Sequence, residues 1–268
     1  MPFKEALDIA RARTLLPTSL GTSGLQKLSA DIRERSLFSA KVRTVEHLSV
    51  LRSGTDELTA GTLDLASARL SVKQFLTRTG YVAPKGKEGG LQDFSSDQRI
   101  NLQLLTNVQQ AQGYGWWQQG QDETILDAFP AQEFLRVEAR DNPRSDWADR
   151  WDYARLNTNT KGATAAGSGR MVALKDHPIW VKLSRFGTPY EPFDFNSGMG
   201  VEDVSREDAM GLGIIDATTK ITPQERPFNE DLQASPDVQS DKLRALLEQG
   251  GVGHFNGGVF VRTPKGGS

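Results

Sequence analysis

Cysteine is absent from all 268 residues. Disulfides, thiolate nucleophiles and sulfur-built zinc sites are therefore excluded. Histidine is scarce: His47, His177 and His254 are the three in the chain. None has another at a ligand-like spacing, so a histidine metal site has no support, and each reads as structural or exposed. Apolar residues are also few, at 37%. No run approaches the ~20 residues of a membrane span. The start, MPFKEALDIARART, is amphipathic and charged, unlike a signal peptide. The expectation is a soluble protein, compatible with an oxidant-poor compartment. No P-loop, dinucleotide fingerprint or nucleophile elbow is present. Gly250-Gly251-Val252-Gly253 is glycine-rich but follows no strand pattern. No catalytic, cofactor or metal residue is therefore assigned.

What is there must fold with little apolar material. The length suffices for one large domain or two modest ones with a real core, and the low hydropathy predicts loops, an extended shape or surface buried on partners. Net charge is only -2, which gives no global nucleic-acid signature. Its placement is uneven. Residues 1–52 hold nine Lys/Arg against five Asp/Glu, and residues 191–248 hold five against thirteen. A basic head and an acidic tail are either partner surfaces or solvated helix faces.

Periodicity and turn residues divide the chain. Residues 3–16 read as a helix ending before Pro17. A turn-rich break covers Thr18–Gly24, and Ser29 caps a helix from Ala30 toward Leu51 that breaks at Ser53-Gly54. Asp56–Thr79 is helix-like, and Tyr81–Gly90 is a loop. Ser95 and Gln98 have capping-box spacing, and Ile100, Leu104, Val108 and Ala111 recur at helical spacing. This predicts a helix over about 96–112, followed by Gly113-Tyr114-Gly115 and the Trp116-Trp117 pair. Glu133–Glu138 and Arg170–Leu174 read as strands, Asp146–Arg155 and Asp176–Leu183 as helices, and 157–169 as a low-complexity linker or exposed loop. Asp241–Gln249 reads as a last helix and Val259–Arg262 as a strand. The fold class expected is α+β: a helical region over 1–80, a mixed domain with few short strands and long loops over 91–215, and an acidic Pro/Gly-rich arm over 216–268.

The chemistry-bearing residues are few. Asp122, Glu123 and Asp127 share helical spacing, which usually means a solvated face. Glu133 and Glu138 have odd spacing, so a regular strand points them to opposite sides. Trp116, Trp117, Trp147, Trp151 and Trp180 are concentrated in the middle of the chain. They read as core, with interface or sugar platform as alternatives.

Trp180 to Leu212 stands out. Tyr190, Phe193 and Phe195 alternate with Pro189 and Pro192, so the backbone is extended. Asn196, Ser197, Gly198 and Gly200 turn it. Ser205 then caps a helix with acids in its first turn. Arg99–Gly115 (RINLQLLTNVQQAQGYG) together with Tyr190–Ser197 (YEPFDFNS) resembles the phage Mu F-like family of head-morphogenesis, or minor capsid, proteins. In that family a helix with an Arg-to-Thr-Glu pattern precedes a Pro-Pro, aromatic, Asn-Cys-Arg segment. Here Arg99, Thr106 and Asn107 occupy the first pattern, and Pro192, Phe195 and Asn196 match the second. Ser197 stands where Cys is frequent, and the Cys pair of many members is missing. The resemblance covers residues 95–213.

It implies a non-enzymatic bacteriophage structural protein of virus assembly, found in the virion or procapsid interior and in the host cytoplasm beforehand. The implied partners are portal or capsid proteins, with packaged DNA as a further candidate. Arg99, Thr106, Asn107, Trp116, Trp117, Tyr190, Pro192, Phe193, Phe195 and Asn196 would carry the interaction. Two other classes compete. An enzyme such as a nuclease, ADP-ribosyltransferase or wall hydrolase would need a deep pocket holding two or more of Glu133, Glu138, Asp146 and Asp149. A carbohydrate-binding module would need two exposed, coplanar Trp rings.

Overall fold

The computed structural model describes residues 3–28 and 30–224, together with the strand segments 233–234, 253–256 and 259–262. The Ser29 cap and the expected helix Asp241–Gln249 lie outside the described residues. The protein is a mixed α+β structure with a helical N-terminal region and a small mixed sheet domain of short strands. The chain divides into two compact units: Met1–Ala111 with Pro227–Ser268, and Gln112–Arg226.

The first unit opens with α1 (Lys4–Ala12), β1 (Thr14–Leu15), α2 (Thr22–Leu25), α3 (Ala30–Arg35) and β2 (Ser36–Leu37). Then come α4 (Val45–Ala60), α5 (Leu65–Arg78) and the start of α6 (Asp97–Gln119). One strand pair corrects the sequence reading, since Thr14 and Leu15, expected at the end of a helix over residues 3–16, form β1. The single helix expected from Ala30 to Leu51 is interrupted because Ser36 and Leu37 pair in parallel with Thr14 and Leu15. Thr44 then caps α4, accepting from the His47 N–H. Such pairing across a long stretch of chain leaves no periodic trace. Ser53-Gly54 is not a break either. Gly54 lies inside α4, where a Cβ would stand 3.1 Å from Leu104 Cδ2. The glycine permits close helix approach. Its core is aliphatic: Leu37, Val42, Leu48, Leu51, Ala68, Val72, Leu76, Ile100 and Leu104. Ile100, Leu104 and Val108 are buried as their spacing predicts. The cap of α6 is Ser96, whose Oγ accepts from the Arg99 N–H at 3.1 Å. Ser95 instead bonds Asp93.

The second unit contains α7 (Glu123–Ala128), β3 (Ala131–Arg136), α8 (Trp147–Leu156), β4 (Val172–Leu174), α9 (Ile179–Leu183), β5 (Met199–Val204) and α10 (Arg206–Gly211). The strands form an antiparallel sheet in the order β4-β3-β5, with Ala131 opposite Leu174 and Val204, and Phe134 opposite Val201. β5 was not expected, because Gly198 and Gly200 read as turn residues. It forms because β3 supplies a full ladder. Ala131 and Phe134 have opposite parity and face opposite sides of the sheet. Phe134 joins Trp147, Trp151, Trp180, Phe193 and Met199. Ala131 joins Val172, Val204 and Ala209. Ser205 caps α10 as predicted, accepting from the Asp208 N–H. A separate antiparallel sheet, belonging to the first unit, orders β6 (Gln233–Ala234), β8 (Val259–Arg262) and β7 (Gly253–Asn256). Its strand β8 matches the expected Val259–Arg262. Among the described residues, no helix is long and apolar enough to cross a membrane.

Candidate functional site

Gly113 and Gly115 do not end α6, which continues through both tryptophans to Gln119. A Cβ at Gly113 would collide with the Glu191 carbonyl oxygen, so the glycine records a close backbone approach rather than a stop. Tyr190 lies edge-on to Tyr114, with centroids 5.6 Å apart, and 6.0 Å from Trp117. The Glu191–Pro192 bond is cis. Glu191 Oε1 accepts from the Val201 N–H at 2.7 Å, and burial pushes this carboxyl up.

The expected interaction residues hold local structure. Arg99 donates to Ser39 Oγ at 2.6 Å, the Ala40 carbonyl at 2.9 Å and the Leu91 carbonyl at 3.2 Å. Asn107 accepts from buried Arg13 at 3.3 Å, and Thr106 is buried. Pro192 and Phe193 are buried, and Phe195 packs edge-on against Phe186 at 4.8 Å. Asn196 turns the chain at φ 47°. The tryptophans are mostly core. Trp117, Trp147, Trp151 and Trp180 are buried, whereas Trp116 is 56% exposed. The Trp151 and Trp180 indoles donate to the Thr164 and Leu174 carbonyls at 2.8 and 2.7 Å. One exposed ring cannot form the coplanar pair that a sugar platform needs.

The histidines are structural or exposed. His47 is buried between Phe75 and Phe94, and burial with Arg99 nearby lowers its pKa to about 4. Buried His177 accepts from the Ile179 N–H at Nδ1, 3.0 Å away, and burial lowers its pKa. His254 is exposed in β7. Glu133 pairs with Arg170 at 2.6 Å and Asp127 with Arg206 at 2.8 Å. Glu138 pairs with Arg140. Among the described residues, no group of three His, Asp or Glu could hold a metal ion.

The polar centre lies on residues the sequence reading passed over. Asp194, between Phe193 and Phe195, is 3% exposed. Three guanidiniums converge on its carboxylate: Arg150 at 3.0 Å, Arg144 at 3.4 Å and Arg185 at 3.7 Å. Arg150 also lies over the Trp147 ring, 3.9 Å from its centroid, and donates to the Leu183 carbonyl at 3.3 Å. Arg144 donates to the Phe195 carbonyl at 3.1 Å. One carboxylate cannot neutralise three arginines, so the hub carries excess positive charge. A cavity of about 380 Å³ opens beside it, lined by Asp146, Asp149, Arg150, Tyr153, Lys182, Leu183, Ser184 and Arg185. α8 and α9 supply its helical walls. A signal was available: the run ARDNPRSDWADRWDYAR alternates arginine and acid, and an aspartate sits between two rings. Both read as surface until the chain is folded.

The chain matches no family model, no curated protein and no solved structure. That overturns the bacteriophage reading. Nothing supports a virion, minor capsid, head-morphogenesis or portal-associated structural protein of virus assembly. The physical reason is in the geometry. The short motifs that carried the resemblance are accounted for by helix capping, loop stapling and ring packing within this chain.

Proposed function

We propose that this chain acts by binding, and that an oxyanion-bearing partner docks in the groove between α8 and α9. The convergence of three arginines on Asp194 carries the reading. Arg150 and Arg185 are already oriented by that carboxylate and by the rings beside them, so little side-chain freedom is lost when an anion arrives. Lys182 adds a third cation to the lining. Binding weakens with salt, because exposed charges are screened beyond ~10 Å at 0.1 M.

The test is a titration of the full chain with inorganic pyrophosphate at low ionic strength, followed by tryptophan fluorescence, since Trp147 lies under Arg150. Saturable binding that falls about tenfold in a Lys182→Gln/Arg185→Gln double variant is expected. Equal affinity in wild type and variant overturns it.

A second reading, an acid–base enzyme, is favoured by one observation: Asp146 and Asp149 both line the cavity. Both are exposed, and three-residue spacing puts them on one wall rather than on either side of a ligand. Turnover of a glycan or nucleic-acid substrate that is lost in Asp149→Asn would establish it.

A further inference from the structure

We infer that the occupant of this groove is a polypeptide segment carrying an acidic and a basic side chain close together, and not a nucleic acid. The inference rests on the oxyanion reading above and adds the partner's class. The lining is of mixed sign. Arg150, Lys182 and Arg185 make one set, and Asp146 and Asp149 the other. The Asp146, Asp149 and Lys182 side chains form no ion pair or hydrogen bond among the described residues, so no internal contact must break before they meet a ligand. Arg150 is different: it is held on Asp194, Leu183 and Trp147.

A nucleic-acid strand offers regularly spaced phosphates and no cation. It would satisfy the cationic set and be repelled by both aspartates. A segment with neighbouring Asp/Glu and Lys/Arg satisfies both sets at once, and the same pattern disfavours partners of a single sign. Tyr153, 72% exposed at the cavity wall, offers a ring of the kind enriched where proteins meet. The cavity, near the low end of ligand-pocket volumes, suits a few side chains rather than a duplex.

The experiment uses the full chain and fluorescence anisotropy with three labelled probes of matched length: a Glu-Gly-Lys repeat peptide, a Glu-Gly repeat peptide and oligothymidylate. The mixed peptide should bind about tenfold tighter than either other probe at the same salt. Asp146→Asn/Asp149→Asn should erase that preference and raise affinity for the Glu-Gly peptide and the oligothymidylate. Both positions are exposed, so the fold is retained; circular dichroism checks it. Equal binding of the mixed and acidic peptides, or an unchanged ratio in the aspartate variant, overturns the peptide assignment while leaving anion docking standing. Tighter binding of oligothymidylate also overturns it. If Lys182→Gln/Arg185→Gln does not weaken the Glu-Gly peptide, the oxyanion reading itself fails.

Discussion

The first unit fills its interior with leucine, valine and isoleucine from packed helices, whereas the second fills its interior with rings. Phe134 stands 5.2 Å from Trp147 and 5.2 Å from Phe193, and Trp151 stands 5.6 Å from Trp180. All five tryptophans lie in the second unit. The difference is one of means. Aliphatic side chains bury area wherever a helical stripe presents them. Rings bury more area per residue but demand particular edges and faces. Their polar atoms also need partners, as the indole bonds to Thr164 and Leu174 show. A small sheet with short strands thus obtains a core from few residues, and arginines clasp the turn that completes it. Two of them, Arg150 and Arg185, also line the groove, so stability and binding share side chains in the second unit. No such sharing is evident in the aliphatic core of the first.

Four measurements sharpen or break this contrast. The largest effect is expected at Phe193, fully buried among the rings. Phe193→Ala should cost about 3–5 kcal/mol, read by tryptophan fluorescence in denaturant. A cost under about 1 kcal/mol would mean the ring core tolerates a void and is not tightly packed. Leu104→Ala should cost about 2–5 kcal/mol, read by far-ultraviolet circular dichroism, because the first unit contains no tryptophan. A change below about half a kcal/mol would place Leu104 outside a real core.

Acid should act on the first unit through His47. Burial holds its pKa at about 4 against 6.5 in the unfolded chain. Above pH 6.5 both states are neutral there. As pH falls, the unfolded state takes up the proton first, and stability drops by about 3 kcal/mol by pH 4. His47→Leu should flatten that part of the pH–stability curve. A curve with the wild-type slope would remove His47 as its cause. The smallest effect is at the caps. Asp64 accepts from the Ala66 and Ser67 N–H groups, and Ser205 from Asp208 N–H. Asp64→Ala and Ser205→Ala should each cost about 1 kcal/mol. A negligible change at either would show that its helix is held by packing alone.

Parts of this architecture were legible from residue order. Ile100, Leu104 and Val108 announced α6, and Ser205 announced α10. Glu133–Glu138 marked the neighbourhood of β3, which runs Ala131–Arg136. Trp147 and Trp151 share one buried face, as their spacing required. The misses have a common cause. β2 and β5 exist because distant strands pair with them. Gly54 and Gly113 read as breaks but are points of close approach, and only the neighbour reveals which. Asp146 and Asp149 were named as candidate pocket acids, but the arginine hub beside them was missed because Arg144, Arg150 and Arg185 look like any solvated charges in sequence. It takes the fold to bring them onto Asp194.

Residue order by itself determined what is local: helical faces, caps and the lack of any thiol; the proline-flanked segment, expected to be extended, instead runs through bends and a turn around a cis Glu191–Pro192 bond. The faces and caps follow from interactions within a few residues, where spacing fixes geometry. Tertiary structure alone decided which glycines admit a neighbour, which tryptophan faces solvent, and where three guanidiniums meet one buried carboxylate. Those are properties of groups far apart in the chain, and charge or ring type carries no record of who will be opposite.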